Sequence, residues 1–129
     1  MKSLNLSPIA RMVNYAAVGV APRIMGIGPV KAIPKALERA GIKQNDLKLI
    51  ELNEAFASQS LAVIRALELD PELVNVNGGA MALGHPIAAT GSILIGTVLD
   101  ELERRDLNTG LVTMCTGGGM APAIIIERV

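Results

Sequence analysis

The sequence predicts an α/β fold, a single domain over residues 1–129 in which a mixed sheet carries helices on both faces. A length of 129 residues is typical of one domain. Strand-like and helix-like runs alternate in the order βαβαβαββ, which favours right-handed crossovers between strands. Half of the residues are apolar and only 2% are aromatic. The core must therefore consist of small aliphatic side chains, which favour close contact between helices and sheet.

The first half of the chain contains two strand–helix pairs. β-Branched residues over 9–20 indicate a strand, and a loop rich in proline and glycine follows it. A helix over 29–40 begins at Pro29 and ends before Gly41, with Pro34 expected to bend it or delay its start. A short strand over 47–52 leads to a helix over 54–69, for which Asn53 is a good N-cap.

The second half contains a third pair and two closing strands. Residues 73–76 indicate a short strand, and a helix over 87–105 follows Pro86. That helix carries no charge from 87 to 99, whereas nearly every residue from 100 to 106 is charged. We therefore expect its start to be buried between two layers and its end to be exposed. Strands over 110–115 and 121–129 flank a glycine-rich turn at 116–119.

The charge balance and the cysteine count restrict the function classes. Twelve basic and twelve acidic residues cancel without a run of either sign, which argues against binding of nucleic acid or an anionic membrane through bulk charge. We find no signal-peptide pattern and no stretch near the ~20 apolar residues of a membrane span. One cysteine and one histidine make neither an internal disulfide nor an ordinary metal site. These features predict a soluble cytoplasmic chain without a metal.

Three polar residues follow predicted strands and are candidates for chemistry. Asn53, His85 and Cys115 each lie at the carboxyl end of a strand, and in such sheets functional turns gather at that edge. Asn53 and His85 also precede apolar helices, whose N-termini favour a developing negative charge. A helix N-terminus near Cys115 would lower the pKa of its thiol.

Each of these residues also has a purely structural interpretation. Asn53 can be a helix cap, Cys115 a buried inert thiol and His85 a satisfied core histidine. The glycines at 117–119 suit a tight hairpin, but they also allow the backbone N–H of Gly117 to point at an oxyanion. The only histidine and the only cysteine of the chain lie on the same predicted edge, which favours the catalytic interpretation.

Three sequence blocks resemble the C-terminal signature blocks of the thiolases, the acetyl-CoA acetyltransferase and 3-ketoacyl-CoA thiolase family. They are Asn-Glu-Ala-Phe-Ala at 53–57, Asn-Gly-Gly-Ala-Met-Ala-Leu-Gly-His-Pro at 77–86 and Cys-Thr-Gly-Gly-Gly at 115–119. The segment 23–29 is also similar to a family segment. The blocks occur in the family's order across nearly the whole chain, so the chain resembles the C-terminal thiolase domain, whose βαβαβαββ order agrees with the predicted elements.

The resemblance implies a role for each candidate residue. His85 matches the histidine that activates the nucleophilic cysteine and helps form the oxyanion hole for the thioester enolate. Asn53 matches the asparagine that holds a water on this oxyanion. Cys115 matches the acid/base that moves a proton at the substrate α-carbon or the CoA thiol, and the N–H of Gly117 matches a donor of the second oxyanion hole. The implied reaction is thiolysis of a 3-ketoacyl-CoA or the reverse Claisen condensation, with CoA and acyl-CoA as substrates and no permanently bound cofactor.

The chain departs from the family pattern in what it lacks. Family members carry the nucleophilic cysteine in an N-terminal half, and this sequence contains neither that half nor a second cysteine. The implied partners are therefore an N-terminal thiolase half or thiolase-like chain, and further copies of the chain in a homo-oligomer. We expect the chain alone to be inactive. A non-catalytic assembly module, an inactive truncated fragment and a nucleophilic Cys115 are the alternatives. Ala88 replaces a frequent glycine and is expected to narrow the pocket.

Overall fold

The computed structural model describes residues 2–129, which form one sheet with helices packed on it. The chain begins with a long strand, passes through two helices and a short strand, and ends with a third long helix and two strands. The elements are β1 Ala10–Gly19, α1 Gly28–Ala40, β2 Leu49–Leu52, α2 Ala57–Ala66, the single-turn α3 Ala80–Leu83, α4 Thr90–Arg104, β3 Thr109–Thr113 and β4 Met120–Arg128.

The sheet is mixed, as predicted, with the strand order β1-β4-β3-β2. Strand β4 pairs antiparallel with both β1 and β3, and β2 pairs parallel with β3. Strand β1 therefore lies at one edge and, within residues 2–129, pairs only with β4. The parallel pair at the other edge places the ends of β2 and β3 side by side, with Leu52 opposite Thr113.

Helices cover both faces of the sheet, which confirms that prediction. Helices α1 and α2 pack on one face, where Ile33 and Val63 join Leu52 and Ile125 in the larger apolar cluster. Helix α4 packs on the other face, and its side chains join a smaller cluster built on β2, β3 and β4. Successive residues of β2 alternate between the two clusters, because neighbouring side chains on a strand point to opposite faces. The residues of the smaller cluster are Leu49, Leu94, Val98, Leu102, Val112 and Ile126.

Helix α1 agrees with its predicted limits. It begins at Gly28 with Pro29 in its first turn and ends before Gly41, whose φ of 68° is the left-handed conformation of a glycine helix terminus. The helix continues through Pro34, so the expected delay does not occur.

The third predicted strand, over 73–76, is wrong. Only a single bridge pairs Val74 with Ile50, and a one-turn 3-10 helix occupies Pro71–Leu73. Asn75 has a φ of 49°, which an extended strand does not allow. Its side chain takes over the pairing instead, since Oδ1 accepts from Leu52 N at 2.9 Å and Nδ2 donates to Leu52 O at 2.8 Å. A side-chain amide therefore replaces one step of the strand ladder at the end of β2.

Two helices begin later than predicted. Helix α2 begins at Ala57, so the prediction that Asn53 caps this helix is wrong. Helix α4 begins at Thr90 because residues after Pro86 form a turn, in which Ala89 N and Thr90 N both donate to Pro86 O. Helix α4 packs on the sheet with Leu94 and Val98, while Ser92 and Ile93 are exposed. Within residues 2–129 no second layer covers that outer side, so burial between two layers stays a prediction.

Candidate active site

One cavity brings together the histidine, the cysteine and the glycine turn. Its volume is about 340 Å³, and the predicted residues His85, Cys115 and Gly117 all line it. The wall is otherwise mostly apolar, with Met25, Ala55, Phe56, Ile87, Met114 and Thr116. The carboxyl ends of β2 and β3 are neighbours in the sheet. The turn before α4 meets them there, at the cavity.

His85 is exposed, and hydrogen bonds to both ring nitrogens fix its ring. Nδ1 lies 2.7 Å from the Thr90 hydroxyl oxygen, and Nε2 lies 3.4 Å from Nδ2 of Asn53. Ile87 beside it is 85% exposed, so the imidazole stands in a turn that is open to solvent. The ring is held from two sides while it remains accessible to a substrate.

Asn53 is completely buried and directs its amide at His85. Its backbone N–H donates to Thr113 O at 3.0 Å, which extends the β2–β3 pairing by one residue. Asn53 therefore lies on the same face of the strand as Glu51, the face that α4 covers. Its Oδ1 is buried and has no hydrogen-bond partner within residues 2–129. Such an unpaired acceptor is uncommon in a core.

Glu54 connects the two turns that carry Asn53 and His85. Its Oε2 accepts from Met81 N at 2.9 Å, at the start of α3, and its Oε1 accepts from Asn75 Nδ2 at 3.2 Å. This carboxylate packs directly against Gly79 and occupies the space that a Cβ atom at position 79 would need. The carboxylate therefore fixes the 78–84 turn against the end of β2, and with it the position of His85 relative to Asn53.

Cys115 is a buried free thiol that lines the cavity, with 8% of its surface exposed. Burial raises the pKa of this thiol above its ordinary value. The expected lowering by a helix N-terminus is therefore not found. The group is a neutral thiol at neutral pH, which can donate a proton but is a poor spontaneous nucleophile.

The glycine turn is a hairpin, as one of the two interpretations predicts, and its role as an oxyanion donor stays a prediction. Thr116 and Met120 exchange two backbone hydrogen bonds, so residues 116–120 form a tight hairpin between β3 and β4. Gly118 and Gly119 have φ of 84° and 90°, which L side chains rarely adopt. Gly117 is exposed and lines the cavity beside Cys115, so its backbone can also approach a ligand.

Sequence reasoning missed Thr90, Phe56 and Glu51. Thr90 lies five residues after His85, and only the turn formed by Pro86 brings its hydroxyl back to the ring. Phe56 lines the cavity and is 57% exposed. It is the only phenylalanine of the chain, so its rarity in the sequence was a signal that could have identified it. Glu51 is the only acidic residue of the otherwise apolar strand β2, and this pattern indicates a buried carboxyl group.

A cluster of three carboxyl groups lies behind the site. Burial, followed by the nearby charges of Glu54 and Glu101, raises the pKa of Glu51 to about 7. Glu101 is buried as well, but hydrogen bonds lower its pKa to about 2. The bond from Arg104 has the largest effect, and those from Asn77 and Arg105 have smaller ones. Glu51 and Asn53 share a small cavity of about 20 Å³ with Thr90. Glu51, which shares this cavity with Asn53, is therefore the member of the cluster whose pKa lies near neutral pH.

We expect the stability of the chain to fall as the pH rises from about 5 to 8 because of Glu51. An acid whose folded pKa is about 7, above its ordinary 4.5, binds more protons in the native state, so the free energy of unfolding decreases across that interval. Allowing for solvent screening, we expect a loss of roughly 1–2 kcal/mol. Urea unfolding of Glu51→Gln at both pH values should show no such loss. Glu38→Gln, a substitution at an exposed position, is the control and should keep the wild-type pH dependence. If the free energy of unfolding of Glu51→Gln still fell with pH as in wild type, the assignment would be contradicted.

The described residues hold no candidate metal cluster and no membrane-spanning helix. Within residues 2–129, no three side chains among His, Cys, Asp and Glu are arranged to hold an ion. None of the helices in this part of the chain is both long and apolar enough to cross a membrane. The polar groups that line the larger cavity include the imidazole of His85 and the thiol of Cys115.

The chain belongs to the thiolase family, as its C-terminal domain. Residues 6–128 match the family model described as thiolase, C-terminal domain. The cavity at the ends of β2 and β3, with its histidine, thiol and glycine turn, is consistent with that class.

Related thiolases support the assignment to this family. The chain is 54% identical over 123 residues to an acetyl-CoA acetyltransferase of Paracoccus denitrificans, covering 95% of this chain. It is 53% identical over 125 residues to a 3-ketoacyl-CoA thiolase of Bacillus subtilis (strain 168), covering 97% of this chain. In each case it spans only 32% of the relative.

Solved structures give the same result. The crystal structure of the Bacillus anthracis acetyl-CoA acetyltransferase superposes with a TM-score of 0.96 at 48% identity, and human mitochondrial 3-ketoacyl-CoA thiolase gives the same values. Both cover 99% of this chain and 32% of the longer one. The chain thus corresponds to about a third of a thiolase.

Proposed function

We propose that this chain supplies the histidine, cysteine and asparagine half of a thiolase active site. The observation that carries the proposal is the single cavity lined by His85, Cys115 and Gly117, with Asn53 hydrogen-bonded to His85. The nucleophilic cysteine would come from an N-terminal thiolase half, since Cys115 is the only cysteine in this sequence. The substrates would be a 3-ketoacyl-CoA and CoA, or two acyl-CoAs in the condensation direction.

In thiolysis, His85 would take the proton of the incoming cysteine thiol through Nε2. The thiolate attacks the 3-keto carbon, and the bond between the α-carbon and that carbonyl carbon breaks. The acyl group stays on the cysteine, and the electron pair goes to the enolate of the departing thioester. His85 Nε2–H and a water on Asn53 stabilise the enolate oxygen. The thiol of Cys115 protonates the α-carbon, for which a neutral thiol with a raised pKa is suited.

The second half-reaction would regenerate both groups. The Cys115 thiolate takes the proton of CoA, and the CoA thiolate attacks the acyl-cysteine thioester. The N–H of Gly117, a residue that lines the cavity, would donate to the oxyanion of this step. When the acyl-CoA leaves, His85 returns its proton to the nucleophilic cysteine. No metal or resident cofactor takes part in this sequence of steps.

The other proposed properties follow from the same assignment. The exposed apolar side chains around the cavity, Phe56 and Ile87 among them, suit contact with the N-terminal half or with further copies of the chain in a homo-oligomer. A lone reduced cysteine and balanced charges suit the cytoplasm.

Reconstitution tests the proposal. The chain alone should show no thiolysis of acetoacetyl-CoA, and mixing it with the separately produced N-terminal two thirds of the Paracoccus relative should restore turnover. His85→Ala should abolish the restored activity, whereas Lys31→Ala on the exposed side of α1 should not change it. Turnover by the chain alone would contradict the shared site. A stable complex without turnover would instead indicate a non-catalytic assembly module.

A further inference from the structure

The Thr90 hydroxyl contacts the far side of the His85 ring. Its Oγ1 lies 2.7 Å from Nδ1, and the residue is only 3% exposed. Thr90 is the first residue of α4, and the turn after Pro86 brings it back toward the ring. Thr90 lines the small inner cavity with Asn53 and does not line the larger cavity that contains Cys115. Its hydrogen bond to the site is therefore the one to His85.

The Thr90 hydroxyl has one proton and two neighbours. The carbonyl oxygen of Pro86 lies 3.0 Å away and can only accept a hydrogen bond. A threonine hydroxyl in a helix commonly donates to the carbonyl four residues earlier, and Pro86 is at that position. If the proton goes to Pro86 O, the oxygen presents a lone pair to Nδ1. The Nδ1 atom of His85 must then carry the ring proton.

The contact on the opposite side of the ring gives the same answer independently. Nδ2 of Asn53 faces Nε2 at 3.4 Å, and an amide nitrogen can only donate. Nε2 must therefore present a lone pair. Reversing the amide would bury an unpartnered NH₂ group in place of the unpartnered Oδ1, and orphan donors are rarer in cores than orphan acceptors. Both contacts thus favour the same tautomer.

We propose that Thr90 is a positioning residue that holds His85 in the tautomer protonated on Nδ1, which leaves Nε2 unprotonated. The importance of this tautomer rests on the proposed function, because only an unprotonated Nε2 can take the proton of an incoming thiol. Once Nε2 has that proton, Nδ1–H still donates to Thr90. The same contact therefore serves the neutral ring and the imidazolium, and the ring does not need to turn between steps.

Nitrogen NMR of the single histidine tests the tautomer without any activity. His85 is the only histidine in the chain, so ¹⁵N-histidine labelling gives one pair of ring nitrogens. In a neutral ring, the protonated nitrogen resonates far upfield of the unprotonated one, and two-bond couplings to the ring carbon protons assign the pair. At a pH where the ring is neutral we expect the proton on Nδ1. A proton on Nε2, or one shared equally, would overturn the proposal.

Variants of Thr90 separate the hydroxyl from packing. Thr90→Ser keeps the hydroxyl and should keep the wild-type tautomer. Thr90→Val has nearly the same shape without the hydroxyl and should shift the population toward Nε2–H, with Thr90→Ala as the substitute if the valine variant does not fold. Circular dichroism checks the fold of each protein. Ring nitrogen shifts identical to wild type in a folded variant without the hydroxyl would also overturn the proposal.

The activity measurement distinguishes this proposal from the proposed function. In the reconstituted enzyme, Thr90→Val should lower kcat about 10-fold or more with little change in KM. Thr90→Ser should keep a kcat close to that of wild type. If no mixture turns over any substrate, the proposed function fails while the NMR result still decides the role of Thr90. If turnover is restored and the valine variant matches wild type, the positioning role fails while the proposed function stands.

Discussion

Cys115→Ala is expected to reduce thiolysis by the reconstituted enzyme by about 10²–10⁴-fold, the usual contribution of a general acid/base. The proposed role of this thiol is to protonate the α-carbon and to deprotonate CoA, and alanine can do neither. The thiol is buried at the cavity wall, and its raised pKa keeps it protonated at neutral pH. We therefore expect kcat to fall in both reaction directions, while KM changes little.

The controls for Cys115 address stability and mechanism. Alanine removes only a sulfur atom from a largely buried position, so urea unfolding should show a loss of about 1 kcal/mol or less. An acyl group should still transfer to the nucleophilic cysteine in a single turnover, because that step depends on His85. A variant that retains wild-type kcat would remove Cys115 from the mechanism, and the cavity would then need another proton donor.

Gly79→Ala should destabilise the chain by about 3 kcal/mol, through overpacking together with the loss of hydrogen bonds to Glu54. A Cβ atom at this position would overlap the carboxylate of Glu54. That carboxylate holds Met81 N and the side chain of Asn75, so its displacement would release the turn that carries His85. Denaturant unfolding measures the loss, and a larger separation of Asn53 from His85 should appear in a structure of the variant.

Gly96→Ala is the matched control for this prediction. Gly96 lies within α4, where an added Cβ meets no atom within 4 Å. Alanine in a helix interior is more favourable than glycine, so this variant should be stabilised by roughly 0.5–1 kcal/mol. Opposite signs for the two substitutions would show that the cost at position 79 comes from Glu54. Equal effects would contradict the proposed contact.

The sequence predicted the sheet and the long helices because their signals are local. β-Branched runs and Pro–Gly punctuation marked β1, α1 and β4 to within one or two residues. The strand expected over 73–76 failed because Asn75 adopts a positive φ and pairs through its side chain. That outcome depends on the neighbouring backbone of Leu52, which a local pattern does not contain.

The sequence indicated which turns meet at the candidate site, but not the hydrogen bonds between them. Asn53, His85 and Cys115 follow strands, and the ends of β2 and β3 lie next to each other in the sheet. The hydrogen bond between Asn53 and His85 and the Thr90 contact depend on turns whose shape is set by tertiary contacts. The direction of the Cys115 pKa shift was missed for the same reason, since burial depends on how the whole cavity closes.

The pairing of β1 with β4 has a consequence for how the chain folds during synthesis. Ala10 is registered with Arg128, so within residues 2–129 the edge strand β1 is made well before β4, its only partner in the sheet. Apolar side chains of β1 and α1 must remain without their sheet until residues 120–128 leave the ribosome. Contacts this distant in sequence slow folding and favour an all-or-none assembly of the domain. We expect ribosome-bound chains that end before β4 to stay accessible to protease along their whole length.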